Sequence, residues 1–375
     1  MIIEEIKVFP YQAHRVYKTI TADLGGVPKD KNGIDVSNFY LVEMTTNEGY
    51  KGYGEVSDVP DYMTLPKKAH LNAKSLEKYL SNQFMGMNVW NFEEILSHFP
   101  HKETVDKRTD GTVYDILGCG IDNALLDLLG KKLKTPVYNL LGGKKRESVP
   151  VSWVVYIRDI SLLEDEIRKK VYEGFKAFKL KVGLDEHDDE ERLRIIREVA
   201  GDQATIKLDA NSGWTYDQAV QNLKRLKKYN PDGVETPIAY LDVEGKAKLR
   251  KQIDIPIIEH AHDLSFAFDL VSHRAVDVFN LSTVGSGGIW KSKKIMTIAE
   301  GEGVPCLLGS TIETGLGTAA QLQLGANSDL LTWPSDLVGP KMYTEEFITL
   351  PHQWKDNQIL IPQGGGLGVI PELNK

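Results

Sequence analysis

The sequence predicts an α/β fold: a closed barrel of parallel strands carried behind a small α+β domain. Three observations predict it. From Val149 onward short apolar runs alternate with helix-length segments, and about eight such beats point to a closed barrel rather than a doubly wound sheet. Four of the apolar runs end in a charged residue: Phe178-Lys-Leu-Lys-Val182, Ile206-Lys-Leu-Asp-Ala-Asn211, Gly233-Val-Glu-Thr-Pro237 and Ile255-Pro-Ile-Ile-Glu-His260. A fifth, Val278-Phe-Asn-Leu-Ser282, has the same shape and ends without a charge. The steps from Lys181 to Asp209, Glu235, His260 and Ser282 are 28, 26, 25 and 22 positions. Each is about one strand-plus-helix unit, since eight units fill roughly 250 residues of a β/α barrel. Finally, the chain has 375 residues, 41% hydrophobic and 26% charged, enough for one large barrel with an appended domain.

Taken in order, Ile2–Val8, Phe39–Met44 and Tyr50–Glu55 read as strands, with a turn at Asn47-Glu-Gly49. The stretch from Thr19 to Asp35 is rich in Gly, Lys and Asp, too long and polar for a tight turn. From Lys67 the chain turns helical, and Ile116-Leu117, Ile121, Ala124-Leu125 and Leu128-Leu129 form a buried helical stripe. Residues 1–145 therefore form the α+β domain. The barrel, residues 146–340, starts with a strand over Val149–Ile157. Strands follow at Phe178–Val182, Ile206–Asp209, Val234–Glu235, Ile255–Ile258, Val278–Leu281 and Cys306–Leu308, each with a helix after it. Residues 341–375 lose the alternation and return as a turn-rich tail to the first domain.

Composition excludes several function classes. The net charge of −8 is spread without long single-sign blocks, which argues against nucleic acid and anionic lipid as partners. The two cysteines, Cys119 and Cys306, have no metal-type spacing and read as free thiols in a reducing compartment. The N-terminus lacks a basic region followed by an apolar one, and no window approaches 18 apolar residues, so a cytoplasmic location is expected. No GxGxxG opens a helix after a strand, so no dinucleotide fingerprint is present.

Polar residues at the C-terminal ends of parallel strands converge on one mouth, where chemistry is expected. Lys179 and Lys181 point to the same face of their strand. Their mutual repulsion lowers the pKa of at least one, making a general base. The competing placement sets both on the outer face against helix carboxylates, but Phe178, Leu180 and Val182 would then face the polar mouth. Asp209 and Glu235 end neighbouring strands, as a hard divalent cation requires of oxygen ligands, although a strand-end Asp also serves as a helix N-cap. Asn211 either orients a ligand or begins the next helix.

This order of Lys-x-Lys, Asp-x-Asn, Glu-x-Pro and a polar pair after Ile-Pro-Ile resembles the enolase superfamily, closest to its muconate-lactonizing and mandelate-racemase-like branch. Gly52-Tyr-Gly-Glu55, Gly120-Ile-Asp-Asn-Ala-Leu-Leu-Asp127, Leu140-Leu-Gly-Gly143, Gly287-Gly-Ile289, Gly309-Ser-Thr-Ile-Glu313 and Gly366-Leu-Gly368 fall in matching order. The resemblance implies a modified (β/α)7β barrel under a cap made from both chain ends. It also implies Mg2+ bound with a small-molecule carboxylate, removal of the proton α to that carboxylate, and a homo-oligomer. By motif position Lys181 is the base with Lys179 beside it, Asp209 and Glu235 are metal ligands, and Glu313 hydrogen-bonds the enolate oxygen when protonated.

Two departures narrow the expected reaction. His260 stands where the third metal ligand is normally Asp or Glu, with Glu259 the alternative; this resembles a group that includes a galactarate dehydratase. A histidine ligand also favours softer ions such as Mn2+. Ser282 stands where racemizing relatives carry a lysine, leaving one base and a hydroxyl that binds substrate. The expectation is a lyase, a dehydratase of an acid sugar; the alternative is an epimerase or cycloisomerase in which Lys181 works alone or with a cap residue, and a metal-binding protein without catalysis comes third. The acid is unassigned among Tyr62, Tyr114, His262 and the Lys291, Lys293, Lys294 cluster.

Overall fold

The computed structural model describes residues 1–23, 25–30, 32–60, 63–65, 70–100 and 112–373. Seven short strands, Trp153–Val155, Ala177–Lys181, Thr205–Asp209, Gly233–Glu235, Ile257–His260, Val278–Leu281 and Cys306–Leu308, lie side by side in chain order. All of their pairings are parallel. The segment 330–336 closes the ring. On one side Cys306 N donates to Leu330 O at 2.8 Å and Asp336 N to Leu308 O at 2.8 Å. On the other, Ser335 N donates to Pro150 O and Ser152 N to Ser335 O, both at 2.8 Å. The fold is thus the expected α/β barrel with an N-terminal cap.

Alternation along these strands sorts the side chains. Phe178, Leu180, Ile206, Leu208, Ile257, Phe279 and Leu281 join the large core beneath the outer helices. The other face is polar towards the mouth and apolar below, where Ile258, Val278 and Leu307 pack with Trp333. Gly233 makes room for this plug, because a Cβ there would stand 3.0 Å from Ile258 Cδ1 and 3.1 Å from the Trp333 ring.

One predicted strand divides. Val149–Ile157 becomes Trp153–Val155 in the barrel and Ser148–Pro150, which leaves it to pair with Gln358–Leu360 of the tail. The break falls at Pro150, whose missing N–H cannot serve a central strand.

In the cap, Ile3–Thr19, Ile34–Thr46 and Lys51–Val56 form an antiparallel sheet. Its inner face packs with helices Ala73–Phe84 and Val113–Lys132 around Ile3, Val42, Met44, Leu76, Leu80, Ile121 and Leu125. Contact between sheet and helix is close: a Cβ on Gly54 would lie 1.8 Å from Gly120 O. The polar stretch between the first two strands contains a small hairpin of Ala22–Asp23 and Val27–Pro28. It reaches the barrel mouth, since Ile157 N donates to Ile20 O at 3.1 Å and Ala22 Cβ is 3.1 Å from the place of a Cβ on Gly183. The tail returns to the cap: Thr344 N donates to His14 O at 2.9 Å and Leu367 N to Asp127 Oδ1 at 2.9 Å. Among the described residues no helix is long and apolar enough to cross a membrane.

Candidate active site

Lys179 and Lys181 face the barrel interior rather than the outer helices. Lys179 is buried, and its Nζ lies 2.7 Å from Glu235 Oε1, 2.9 Å from Asp209 Oδ2 and 2.9 Å from Asp336 Oδ2. Burial opposes its charge, but Asp209, Asp336 and Glu235 outweigh burial and hold its pKa well above the ordinary lysine value. The expected lysine–lysine repulsion therefore does not lower the pKa of Lys179. Lys181 is less enclosed. Its Nζ donates to Asp209 Oδ2 at 2.7 Å and to Asn211 Oδ1 at 3.0 Å, and it stands 6.0 Å from the centre of the Tyr156 ring. Asn211 thus reaches the lysine directly.

Backbone contacts set the Lys181 strand end. Arg192 donates to Lys181 O at 2.9 Å, and its buried partner Asp189 accepts Gly183 N at 2.7 Å. Val182 N donates to Asp209 O at 2.9 Å, tying the lysine strand to the next.

Asp209 and Glu235 are fully buried at matched depth and pair in register. Burial raises the Asp209 pKa, but the two ammonium groups outweigh it and hold the carboxyl well below its usual range. His260 Nε2 is 3.1 Å from Glu235 Oε1, while Glu235 Oε2 and His260 Nδ1 are buried with no hydrogen-bond partner among the described residues. Glu259 points the other way, its Oε1 accepting Thr236 Oγ1 at 2.6 Å and its Oε2 standing 2.9 Å from Lys246 Nζ. Of the polar pair after Ile-Pro-Ile, His260 alone joins the cluster. Among the described residues no three His, Cys, Asp or Glu groups form a ready metal cage. The Lys179 ammonium lies within 2.9 Å of one oxygen of each of Asp209 and Glu235. The unsatisfied Glu235 and His260 atoms and the carboxylate oxygens nonetheless make a donor set that suits a divalent cation.

Ser282 stands at the end of the sixth strand, but its hydroxyl accepts Gly285 N at 3.2 Å and caps the short helix Thr283–Ser286. On the seventh strand's exit, Glu313 is fully buried and accepts Thr311 N at 3.0 Å and the Ser310 hydroxyl. Burial pushes its pKa up against these donors, and nearby Glu55 adds to the rise. A carboxyl so placed carries a proton more readily than an ordinary glutamate.

Three residues of the site carry no role in the sequence reading. Asp336 bridges Lys179 and Lys207, whose Nζ it meets at 2.6 Å through Oδ1. Lys207 lies two positions before Asp209, the same period-two signal that exposed Lys179 and Lys181. Asp336 follows Pro334 in a segment without strand character and gave no such signal. Glu55, from the cap, accepts Thr314 N at 3.0 Å, Gly317 N at 3.2 Å and Tyr11 OH at 3.0 Å.

Backbone strain gathers here as well. Asn211, Ser212, Thr236 and Ile312 take φ of 46°, 64°, 42° and 68°. For the β-branched Thr236 and Ile312 such values are outliers, costing on the order of 1–3 kcal/mol each and typical of functional sites. Both lie in the segments that follow barrel strands, next to Glu235 and Glu313.

Of the acid candidates, Tyr62 lies outside the described residues. His262 lies beside His260, with ring centres 4.9 Å apart and planes tilted by 55°. Lys291 donates to Phe99 O, and Lys294 pairs with Glu93 at 2.7 Å, so both join cap to barrel. Lys293 stands 3.3 Å from Glu300 on its own helix. A cavity of about 370 Å3 lies beside this seam, lined by Leu96, Phe99, Leu264 and Trp290, with His262 also on its wall.

Residues 32–142 match the family described as mandelate racemase / muconate lactonizing enzyme, N-terminal domain, and residues 162–374 match enolase C-terminal domain-like. The N-succinyl-L-Arg/Lys racemase of Bacillus cereus is 29% identical over 311 residues, 82% of this chain and 81% of that protein. Muconate cycloisomerase 1-2 of Acinetobacter lwoffii is 31% identical over 260 residues, 68% of this chain and 67% of that protein. The solved dipeptide epimerase of Enterococcus faecalis V583, complexed with Mg and the dipeptide L-Leu-L-Tyr, superposes with a TM-score of 0.83 at 27% identity. That likeness covers 99% of this chain and 100% of the epimerase.

These relatives overturn the expected acid-sugar dehydratase, its lyase class and the alliance with galactarate dehydratase. They are racemases, cycloisomerases and epimerases, all isomerases. The inference failed because Ser282, read as a one-sided site, answers to the backbone of the helix it caps, and a missing second lysine does not by itself require water to leave. With both halves of the chain matched in order, the protein belongs to the enolase superfamily, in its mandelate racemase and muconate lactonizing enzyme branch.

Proposed function

We propose that the protein is a metal-dependent isomerase of a small carboxylate, with Lys181 carrying the proton at the carbon next to the carboxylate. The observation that carries this is the meeting of Lys181 with Asp209 at 2.7 Å and of Glu235 with His260 at 3.1 Å, at the ends of four successive strands. Asp209, Glu235 and His260 would hold a divalent cation, Mg2+ first and Mn2+ as the softer substitute. When bound, that cation supplies positive charge to the carboxylate as it becomes an enediolate. Lys179 stays an ammonium and keeps the neighbouring carboxylates ionised. Glu313, with its raised pKa, donates a hydrogen bond to the developing oxyanion. Asn211 fixes the Lys181 amine by accepting from it.

Within the isomerases, one lysine suits cycloisomerisation, in which a single group moves the proton to or from one carbon. Epimerisation requires a second acid on the opposite face of that carbon. Ser282, engaged as a helix cap, does not supply one. The test is a panel of muconates and their lactones, N-acyl amino acids and dipeptides, incubated with Mg2+ and followed by NMR. Interconversion of a muconate and its lactone supports the cycloisomerase; inversion of an amino-acid centre supports the epimerase; release of water to give a 2-keto acid contradicts both.

A further inference from the structure

Glu259 is the polar residue that turns away from the mouth, and its surroundings are unusual. It is fully buried, as is Lys246 on the helix Val243–Arg250, and the two charges stand 2.9 Å apart. Lys246 Nζ also donates to Ala239 O at 3.1 Å and to Tyr240 O. These carbonyls belong to the turn that follows Glu235. Glu259 Oε1 accepts two further bonds, from Thr236 Oγ1 at 2.6 Å and from His260 N at 2.9 Å. Thr236 follows Glu235 directly, in the left-handed region at φ 42°, with its N–H on Ile258 O at 3.1 Å.

One carboxylate therefore grips the residue after Glu235 and the backbone of His260 together, while its ammonium partner holds the intervening turn. Taking an ion pair out of water is costly, and a β-branched residue at positive φ adds strain. An apolar contact between helix and strand would serve packing alone at less cost. What the network achieves is a fixed relation between two side chains on the opposite face of the sheet.

We infer that Thr236, Glu259 and Lys246 are positioning residues that set the distance between Glu235 and His260 for a divalent cation. This rests on the metal-site reading given above. Partners behind metal ligands typically alter affinity because they orient the donor groups.

The test titrates the protein with Mn2+ and counts the free ion by electron paramagnetic resonance, so no substrate is needed. Thr236→Val and Glu259→Gln, each checked for folding by near-ultraviolet circular dichroism, should weaken Mn2+ binding about tenfold or more, while Thr236→Ser, which keeps the hydroxyl, stays within about twofold of the parent. A folded Thr236→Val that binds Mn2+ as tightly as the parent overturns the inference and leaves the metal site standing. Parent protein that binds no Mn2+ overturns both. Should Glu259→Gln fail to fold because Lys246 is left unpaired, the Thr236 pair of variants decides the matter.

Discussion

Lys179 is fixed by charge rather than by shape. Three carboxylates lie within 2.9 Å of its Nζ, and they overcome a burial that would otherwise favour the neutral amine. Lys181, two residues on, meets only Asp209 among the carboxylates of the described residues, with Asn211 beside it. The two lysines therefore have different work despite sharing a face. Replacing Lys179 by Met leaves Asp209, Glu235 and Asp336 without their shared counter-charge, and breaking such a buried pairing costs about 3–5 kcal/mol. Urea unfolding should show that loss. Lys181→Ala removes no such bridge between carboxylates and should leave unfolding within about 1 kcal/mol of the parent. It should instead lower proton exchange by about 100-fold or more, the usual contribution of a general base.

At the scale of elements, strand ends were legible because a parallel strand puts alternate residues on one face. Lys179 and Lys181, then Asp209, Glu235 and His260, all obey that period. The eighth barrel position was not legible. Its segment carries Trp333-Pro334-Ser335-Asp336, and a proline in a short polar run argues against a strand, yet its carbonyls and remaining amides pair on both sides. Glu259 was ambiguous beside His260 until the alternation of the fifth strand placed the two on opposite faces. In the cap, the glycines of Gly52-Tyr-Gly54 are legible as a family mark, and their physical cause is contact with the helix Val113–Lys132. Gly54→Ala would set a methyl 1.8 Å from Gly120 O, which the helix can relieve only by moving. A loss of about 3 kcal/mol in urea unfolding is expected, the upper part of the range for overpacking. A loss below about 0.5 kcal/mol would show the helix to be freer than its packing implies.

Across the whole molecule, the cap and barrel are joined by buried acids that packing patterns in the sequence do not reveal. Glu55 reaches from the cap sheet to the N-terminus of the helix Gly315–Ala326, beside Glu313. Asp122, on the cap helix Val113–Lys132, meets the N-terminus of the barrel helix Ile289–Glu302, where Trp290 N is 3.3 Å from its Oδ2. Burial pushes the Asp122 pKa up from 3.8 to about 7, against the backbone donors of Trp290 and Ile289. The folded state therefore binds this proton more tightly than the unfolded chain. Its contribution is full below about pH 4 and lost as pH rises through about 7. Between pH 5 and pH 8 the parent should lose about 2–3 kcal/mol that Asp122→Asn does not lose. Parallel stability curves for the two proteins would place Asp122 in contact with water.

The central claim is that Lys181 moves a proton at the carbon next to a substrate carboxylate without loss of water. Deuterium uptake at that carbon, followed by proton NMR in deuterated water with Mg2+ and a turned-over member of the panel, tests it most directly. Deuterium should enter one position with the parent protein and be lost with Lys181→Ala, with the product an isomer of the same mass apart from the label. Unchanged uptake by Lys181→Ala, or a product lighter by one water, would contradict the account.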